Sequence, residues 1–264
     1  MGRRRVMLVG VFGALLLAGV AALDDELRAF VLLQVAPARA REVFLRRLVP
    51  GAGPPLYVLG TIHGAHFETP EYGLAHLEAV LRHLRPGRLL VESRPEQLAT
   101  GLIGDGPVEM AAAHLNARAL GIPVDGVDWY DEGQSSLRRT DAVRDDHIAA
   151  RVLERRDPQA TTLVLVGYSH VPELVARLSA RGFREDAPSA AEKAALFDTS
   201  EVLPGYPTGF AAAIEARIAR DEAARARATP ERAERLGEAI AARREILTRI
   251  RAVGERTPGP APSE

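Results

Sequence analysis

The chain has 264 residues, with 34 Lys and Arg against 35 Asp and Glu, and 47% of it is hydrophobic. That length suffices for one sizeable α/β domain, alone or with a helical appendage, and a net charge of −1 lacks the basic excess of a general nucleic-acid binder. With no cysteine there are no disulfides, thiolate nucleophiles or Cys-type zinc sites, so any metal must rest on His and carboxylate ligands.

Residues 1–23 begin with Arg3, Arg4 and Arg5 and continue as an uncharged run from Val6 to Leu23. A basic start before an apolar run reads as a secretory signal or a signal anchor. Val20 and Ala22 are small enough to precede cleavage after Ala22, while the run also reaches the lower limit of a membrane span. On either reading the three arginines stay cytoplasmic and the body is exported. It is then membrane-anchored, or periplasmic or secreted after cleavage.

Residues 24–205 read as an α/β domain. A helix with an acidic start covers 24–36, and "REVFLRRLVPGAGPPLYVLGT" holds two strand-like runs around a Pro/Gly turn, which predicts a β-hairpin. "PEYGLAHLEAVLRHLRPG" follows, with Leu74, Leu77, Leu81 and Leu84 on one helical stripe. Then come the strand "RLLVES", the helix "PVEMAAAHLNARALG", the strand "IPVDGVDWY" and the helix "TDAVRDDHIAARVLERRD", for which Thr140 is the expected N-cap. "TTLVLVGYSH" is the most strongly apolar and β-branched strand, and "VPELVARLSARGF" is a helix. Strands alternating with helices predict βαβ units: a mostly parallel central sheet flanked by helices, with the hairpin on one side. The Pro-, Ser- and Ala-rich stretch 184–207 reads as irregular. Residues 206–254 predict a helical hairpin, with Thr229 as N-cap and Pro230 at the first helical position, packed on the domain or on a second subunit in a homodimer. Residues 255–264 read as a disordered tail.

The chemistry-bearing residues sit where the parallel strands end. "LYVLGT" leads to His63, "LLV" to Glu92, "IPVDGV" to Asp128, and "LVLVG" to His170. Ligands of open α/β sheets bind outside the carboxyl ends of the strands, so these distant residues are expected to share one crevice. Two imidazoles and a carboxylate either bind a divalent transition metal or share proton transfer. Gly60 and Gly167 each precede a histidine by three residues, where the missing Cβ permits a sharp turn or a close approach.

These motifs resemble a known family. "GTIH", "VES" and "GYSH" look like the TraB/PrgY/GumN group, which includes the Tiki membrane-tethered proteases and belongs with erythromycin esterase and the ChaN haem-uptake proteins. The resemblance covers roughly residues 42–185, and "VRDDHIAARVLE" resembles the superfamily's Arg-containing helix, which points to Arg144. It implies a metal-dependent hydrolase acting on peptide or other amide or ester bonds, which the N-terminal segment would place outside the cytoplasm. His63, Glu92 and His170 would hold Mn²⁺, Co²⁺ or Zn²⁺, and the ion would acidify a water and polarise a carbonyl. Arg144 would steady an oxyanion or a substrate carboxylate. A metal-free variant uses His63 as general base with Glu92 orienting it. "RDDHIA" stands closer to the esterase and ChaN branch. That leaves two rivals: a binder of haem or another small ligand, with Tyr168 a candidate axial ligand, and a non-enzymatic regulator that sequesters a peptide signal.

The other histidines divide. His66 is a further metal ligand, a substrate contact or a loop histidine in solvent. His76 and His83 read as solvated, His114 as structural, and His147, one helical turn from Arg144, as either crevice-facing or solvated. Asp125 and Asp128 sit near the crevice or bond turn backbone, and Trp129 and Tyr130 floor a pocket or pack the core.

Overall fold

The computed structural model describes residue 31 and residues 36–129 and 142–256. The signal or anchor expected over 1–23, nearly all of the helix expected over 24–36, Tyr130, the Thr140 cap and the tail beyond residue 256 lie outside the described residues. Among the described residues no helix is long and apolar enough to cross a membrane.

In chain order the elements are α1 (Pro37–Phe44), β1 (Leu45–Val49), β2 (Leu56–Thr61), α2 (Leu74–Leu84), β3 (Arg88–Val91), α3 (Pro95–Ala99), α4 (Val108–Ala119), β4 (Val124–Gly126), α5 (Ala142–Arg155), β5 (Thr162–Gly167), α6 (Val171–Ser179), β6 (Arg184–Glu185), α7 (Ala190–Leu196), α8 (Phe210–Arg225) and α9 (Pro230–Val253). The sheet order is β4-β3-β5-β2-β1-β6. β4, β3, β5 and β2 are mutually parallel, and β1 runs antiparallel to β2 on one side and to β6 on the other. This is the expected α/β architecture, hairpin included.

The sheet is covered on both faces, and strand periodicity assigns each side chain to one of them. Tyr57 and Leu59 of β2, Leu89 and Val91 of β3, and Leu163 and Leu165 of β5 join the larger core, with residues of α2 and α4. The alternate residues Leu56, Val58, Leu90, Val164 and Val166 pack with Ile148 and Val152 of α5 and Leu174 and Leu178 of α6. Burial on both sides is why these strands read as near-continuous apolar runs.

The helical hairpin α8–α9 packs on this same chain. Phe210, Ile214, Ile218, Ile240, Leu247 and Ile250 all belong to the larger core. Thr229 does occupy the N-cap position of α9, but its side chain makes no capping bond. The stretch 184–207 is more ordered than its composition suggests. β6 adds an edge strand to β1, and α7 is capped by Ser189, whose Oγ accepts from the Glu192 N–H at 3.1 Å.

Candidate active site

Four neighbouring strands deliver the site residues side by side. After β2 the chain passes Ile62 into a 3-10 turn, His63–Phe67; Glu92 follows β3; Asp128 lies two residues beyond β4; and a 3-10 turn, Tyr168–His170, follows β5. Because these strands are parallel neighbours, their carboxyl ends form one rim.

Glu92 is the hub, and it is 3% exposed. Its Oε1 accepts from Arg144 Nη2 at 2.7 Å and lies 3.7 Å from His170 Nε2, while Oε2 accepts the backbone N–H of Gly167. Arg144 reaches in from α5 and donates through Nε to Asp128 Oδ1 at 2.7 Å. Its Nη1 stands 3.2 Å from His170 Nε2. A guanidinium only donates, so His170 Nε2 is the acceptor and its Nδ1 carries the proton. That Nδ1–H donates to Asp145 Oδ1 at 2.6 Å. Both ring nitrogens of His170 are thereby engaged, which fixes the direction of the ring. Burial pulls the Arg144 pKa down, but the bonds and charges of Asp128 and Glu92 outweigh it and drive it up.

His63 also stands beside Gly167, and its side chain is 49% exposed. Its Nδ1 is 3.0 Å from Glu109 Oε1, which also accepts from Thr61 Oγ1 at 2.6 Å. Glu109, near the start of α4, is fully buried. Desolvation lowers the His63 pKa, and the Glu109 hydrogen bond and charge, with help from Glu92, reverse this to a net rise. For Glu109, burial pushes the pKa up, and the bond and charge of His63 bring it below the ordinary carboxylate range. The His63 backbone has φ +52°, in the left-handed region that costs a non-glycine residue about 1–2 kcal/mol. The Glu109 bond holds the ring in the resulting direction.

The two glycines serve close approach. A Cβ on Gly167 would lie 2.9 Å from His63 Nε2 and 3.3 Å from Glu92 Oε2, so the imidazole and the carboxylate flank this one backbone position. A Cβ on Gly60 would meet Tyr168 Cα at 2.9 Å and Val171 Cγ2 at 2.9 Å. Gly60 therefore lets β2 pack behind the β5 turn and does not line the crevice.

His63, Glu92, Arg144 and His170 thus come together, as expected, around Gly167. His66 does not join them. It is 3% exposed, its Nε2 accepts the Ile62 N–H at 3.0 Å, and its Nδ1 donates to the Tyr72 carbonyl at 2.6 Å. Both ring nitrogens are spent on the backbone, so His66 fixes the loop that carries His63 and has no lone pair for a metal. His76, expected in solvent, is buried against Tyr72, and burial together with Arg41 lowers its pKa to about 4. His83 is exposed and bonds the Asp198 carbonyl, and His114 is half-buried. His147 is exposed and stacks on Trp129 with ring centroids 4.1 Å apart. Asp125 pairs with Arg88. Tyr168 packs its ring on Phe44 at 5.3 Å.

The donor set as arranged does not fit the divalent ion expected on His63, Glu92 and His170. The Nε2 of His170 faces a guanidinium, and both Glu92 oxygens accept N–H bonds. Among the described residues no group of three or more His, Asp or Glu side chains is placed to hold a metal.

Glu109 and Asp145 are the participants that sequence reading missed. Each is an acid lying in register with an apolar helix stripe: Glu109 with Ala112, Ala113 and Ala117, and Asp145 with Ile148, Ala149 and Val152. A carboxylate on a buried stripe needs a partner, and that is the signal that could have found both.

Compared with known proteins, the chain matches no protein-family model, no curated protein and no solved structure.

Proposed function

We propose that the chain is a hydrolase of ester or amide bonds, peptides included, in which His63 is a general base working without a metal. One observation carries this: a half-exposed imidazole whose Nδ1–H is held by buried Glu109, with Nε2 unbonded among the described residues and beside the Arg144–Glu92 cluster. A base oriented by a second group is the usual construction for proton transfer. His63 Nε2 takes a proton from water as the oxygen attacks the substrate carbonyl carbon. The protonated ring then gives that proton to the leaving oxygen or nitrogen as its bond to carbon breaks. Arg144 has five N–H donors, of which Asp128, Glu92 and His170 engage three among the described residues, which leaves donors there for the oxyanion. Glu92 and His170 hold Arg144 in place. The orienting acid of the base is thus Glu109, and Glu92 orients the arginine.

The motif resemblance to the TraB/PrgY/GumN group and to erythromycin esterase supports the same reaction class, and the basic-then-apolar start supports action outside the cytoplasm. The test is hydrolysis of chromogenic esters and peptide anilides by the purified chain, with and without a chelator. Turnover that survives chelation and disappears in His63→Asn is expected. Turnover unchanged by that substitution, or none on either substrate class, overturns the reading. Turnover lost to chelator and restored by Mn²⁺, Co²⁺ or Zn²⁺ returns the metal to the site.

A further inference from the structure

A second concave site lies at the other end of α4. Glu109 is near the amino end of that helix, and Leu115 to Ala119 lie about 9–15 Å further along it at 1.5 Å per residue. There α2, α4 and the segment around Leu203 enclose a cleft of about 500 Å³, within the range of small-molecule sites.

The walls divide by chemistry. Leu115 and Leu203 supply apolar surface, and Leu203 is 55% exposed, one of few large hydrophobic side chains so open among the described residues. Arg82, Arg118 and Arg256 supply three cations against one carboxylate, Glu78. Glu78 is 2% exposed and already committed: Arg82 Nε donates to it at 2.8 Å, and Arg256 donates through both terminal nitrogens, Nη1 at 2.7 Å. The Arg118 side chain makes no hydrogen bond or ion pair among the described residues, and the Arg82 guanidinium spends only Nε there. The lining therefore carries a surplus of positive charge and unused guanidinium N–H donors beside an apolar wall.

We infer that this cleft is a binding site for a small amphipathic anion, with a carboxylate or phosphate head on the arginines and an apolar body against Leu115 and Leu203. Guanidinium forks match both head groups in geometry and charge. The apolar wall asks for more than an inorganic ion, and the buried Glu78 sets Arg82 and Arg256 in place while its single charge leaves the lining net positive. The inference is independent of the hydrolase proposal, since none of these residues belongs to the crevice around Gly167.

Calorimetry on the full chain in neutral detergent tests it, with phenyl phosphate, phenylacetate, phenethylammonium and inorganic phosphate as probes. Phenyl phosphate, phenylacetate or both should bind, phenethylammonium should not, and the phosphate and carboxylate arms identify the preferred head. Arg118→Ala and Leu203→Asp, both at exposed positions, should each weaken binding about tenfold, or 1.4 kcal/mol, with the melting temperature unchanged. Phenethylammonium binding as tightly as the anions would sink the proposal, as would binding indifferent to both substitutions. Inorganic phosphate matching phenyl phosphate, with no response to Leu203→Asp, would reduce the cleft to a patch of surface charge and overturn the assigned ligand class.

Discussion

His63 and His170 end equivalent strands, follow the same Gly-x-x-His spacing and both donate Nδ1–H to a carboxylate, yet their surroundings are opposite. The His63 side chain is 49% exposed with Nε2 open, whereas that of His170 is 4% exposed with Nε2 facing Arg144. The backbone turns differ too: His63 takes φ +52°, while His170 sits at φ −84° as the residue before α6. One motif thus yields an open imidazole and one buried against a guanidinium. What separates them is the residue opposite Nε2, which neither motif encodes.

The comparison can be broken at its common element, Arg144. Arg144→Met leaves Glu92 and Asp128 as buried carboxylates without their cation, and a loss of about 3–5 kcal/mol in denaturant unfolding is expected, with turnover abolished. A loss under 1 kcal/mol would mean that Arg144 is not the keystone of the cluster.

The histidines themselves sharpen it. Asparagine places an amide nitrogen where Nδ1 stands, so both His→Asn variants keep their carboxylate bonds. Asparagine also tolerates the left-handed backbone at position 63. His63→Asn should lower kcat about a hundredfold or more with stability changed by about 0.5 kcal/mol or less. His170→Asn should act in the other direction. Removing the acceptor for Arg144 costs about 1–3 kcal/mol of stability, and hydrolysis falls only as far as Arg144 is misplaced. Reversed outcomes would exchange the two roles.

The glycines make a smaller contrast of the same kind. Gly167→Ala puts a methyl against His63 Nε2 and should depress turnover at nearly unchanged KM, because the base is displaced. Gly60→Ala meets the Tyr168 backbone and should register as about 1–3 kcal/mol of lost stability.

The smallest expected effect is a pH shift. The His63 pKa is raised from 6.5, so the neutral base appears only as pH climbs through a higher value, and kcat/KM should rise along that limb. Protonated His63 bound to Glu109 contributes stability fully below pH 6.5, and this is lost as pH rises through the folded-state value. Glu109→Gln keeps an acceptor but removes the charge, so the acid limb of kcat/KM should move to lower pH. A limb that stays in place would mean Glu109 does not act on His63.

Much of this was legible along the chain. Periodicity and the Pro/Gly breaks predicted the sheet, its helices and the hairpin, because strands buried on both faces must be apolar throughout and helices must present a stripe. Strand-end placement picked out His63, Glu92 and His170, since parallel strands deliver their carboxyl ends to one rim. His66 and His76 were misplaced because burial of a short loop histidine depends on which backbone groups come near it. For His66 these are Ile62 and Tyr72. The helix α7 was missed because its Ala-rich sequence lacks an apolar stripe, and its anchors are tertiary: packing on α2 and the bonds of Arg47 and Tyr57 to Glu192.

By itself, then, the sequence determined an α/β sheet whose strand ends carry two histidines and an acid, since that follows from local pattern and chain direction. Only the tertiary structure decided what those residues meet. Insertion of Arg144 between Glu92 and His170, and the rise of Glu109 beneath His63, bring together groups 52, 26 and 46 residues apart in the chain. Partners at such separations set tautomer, charge and exposure through distance in space, and no local pattern records that distance.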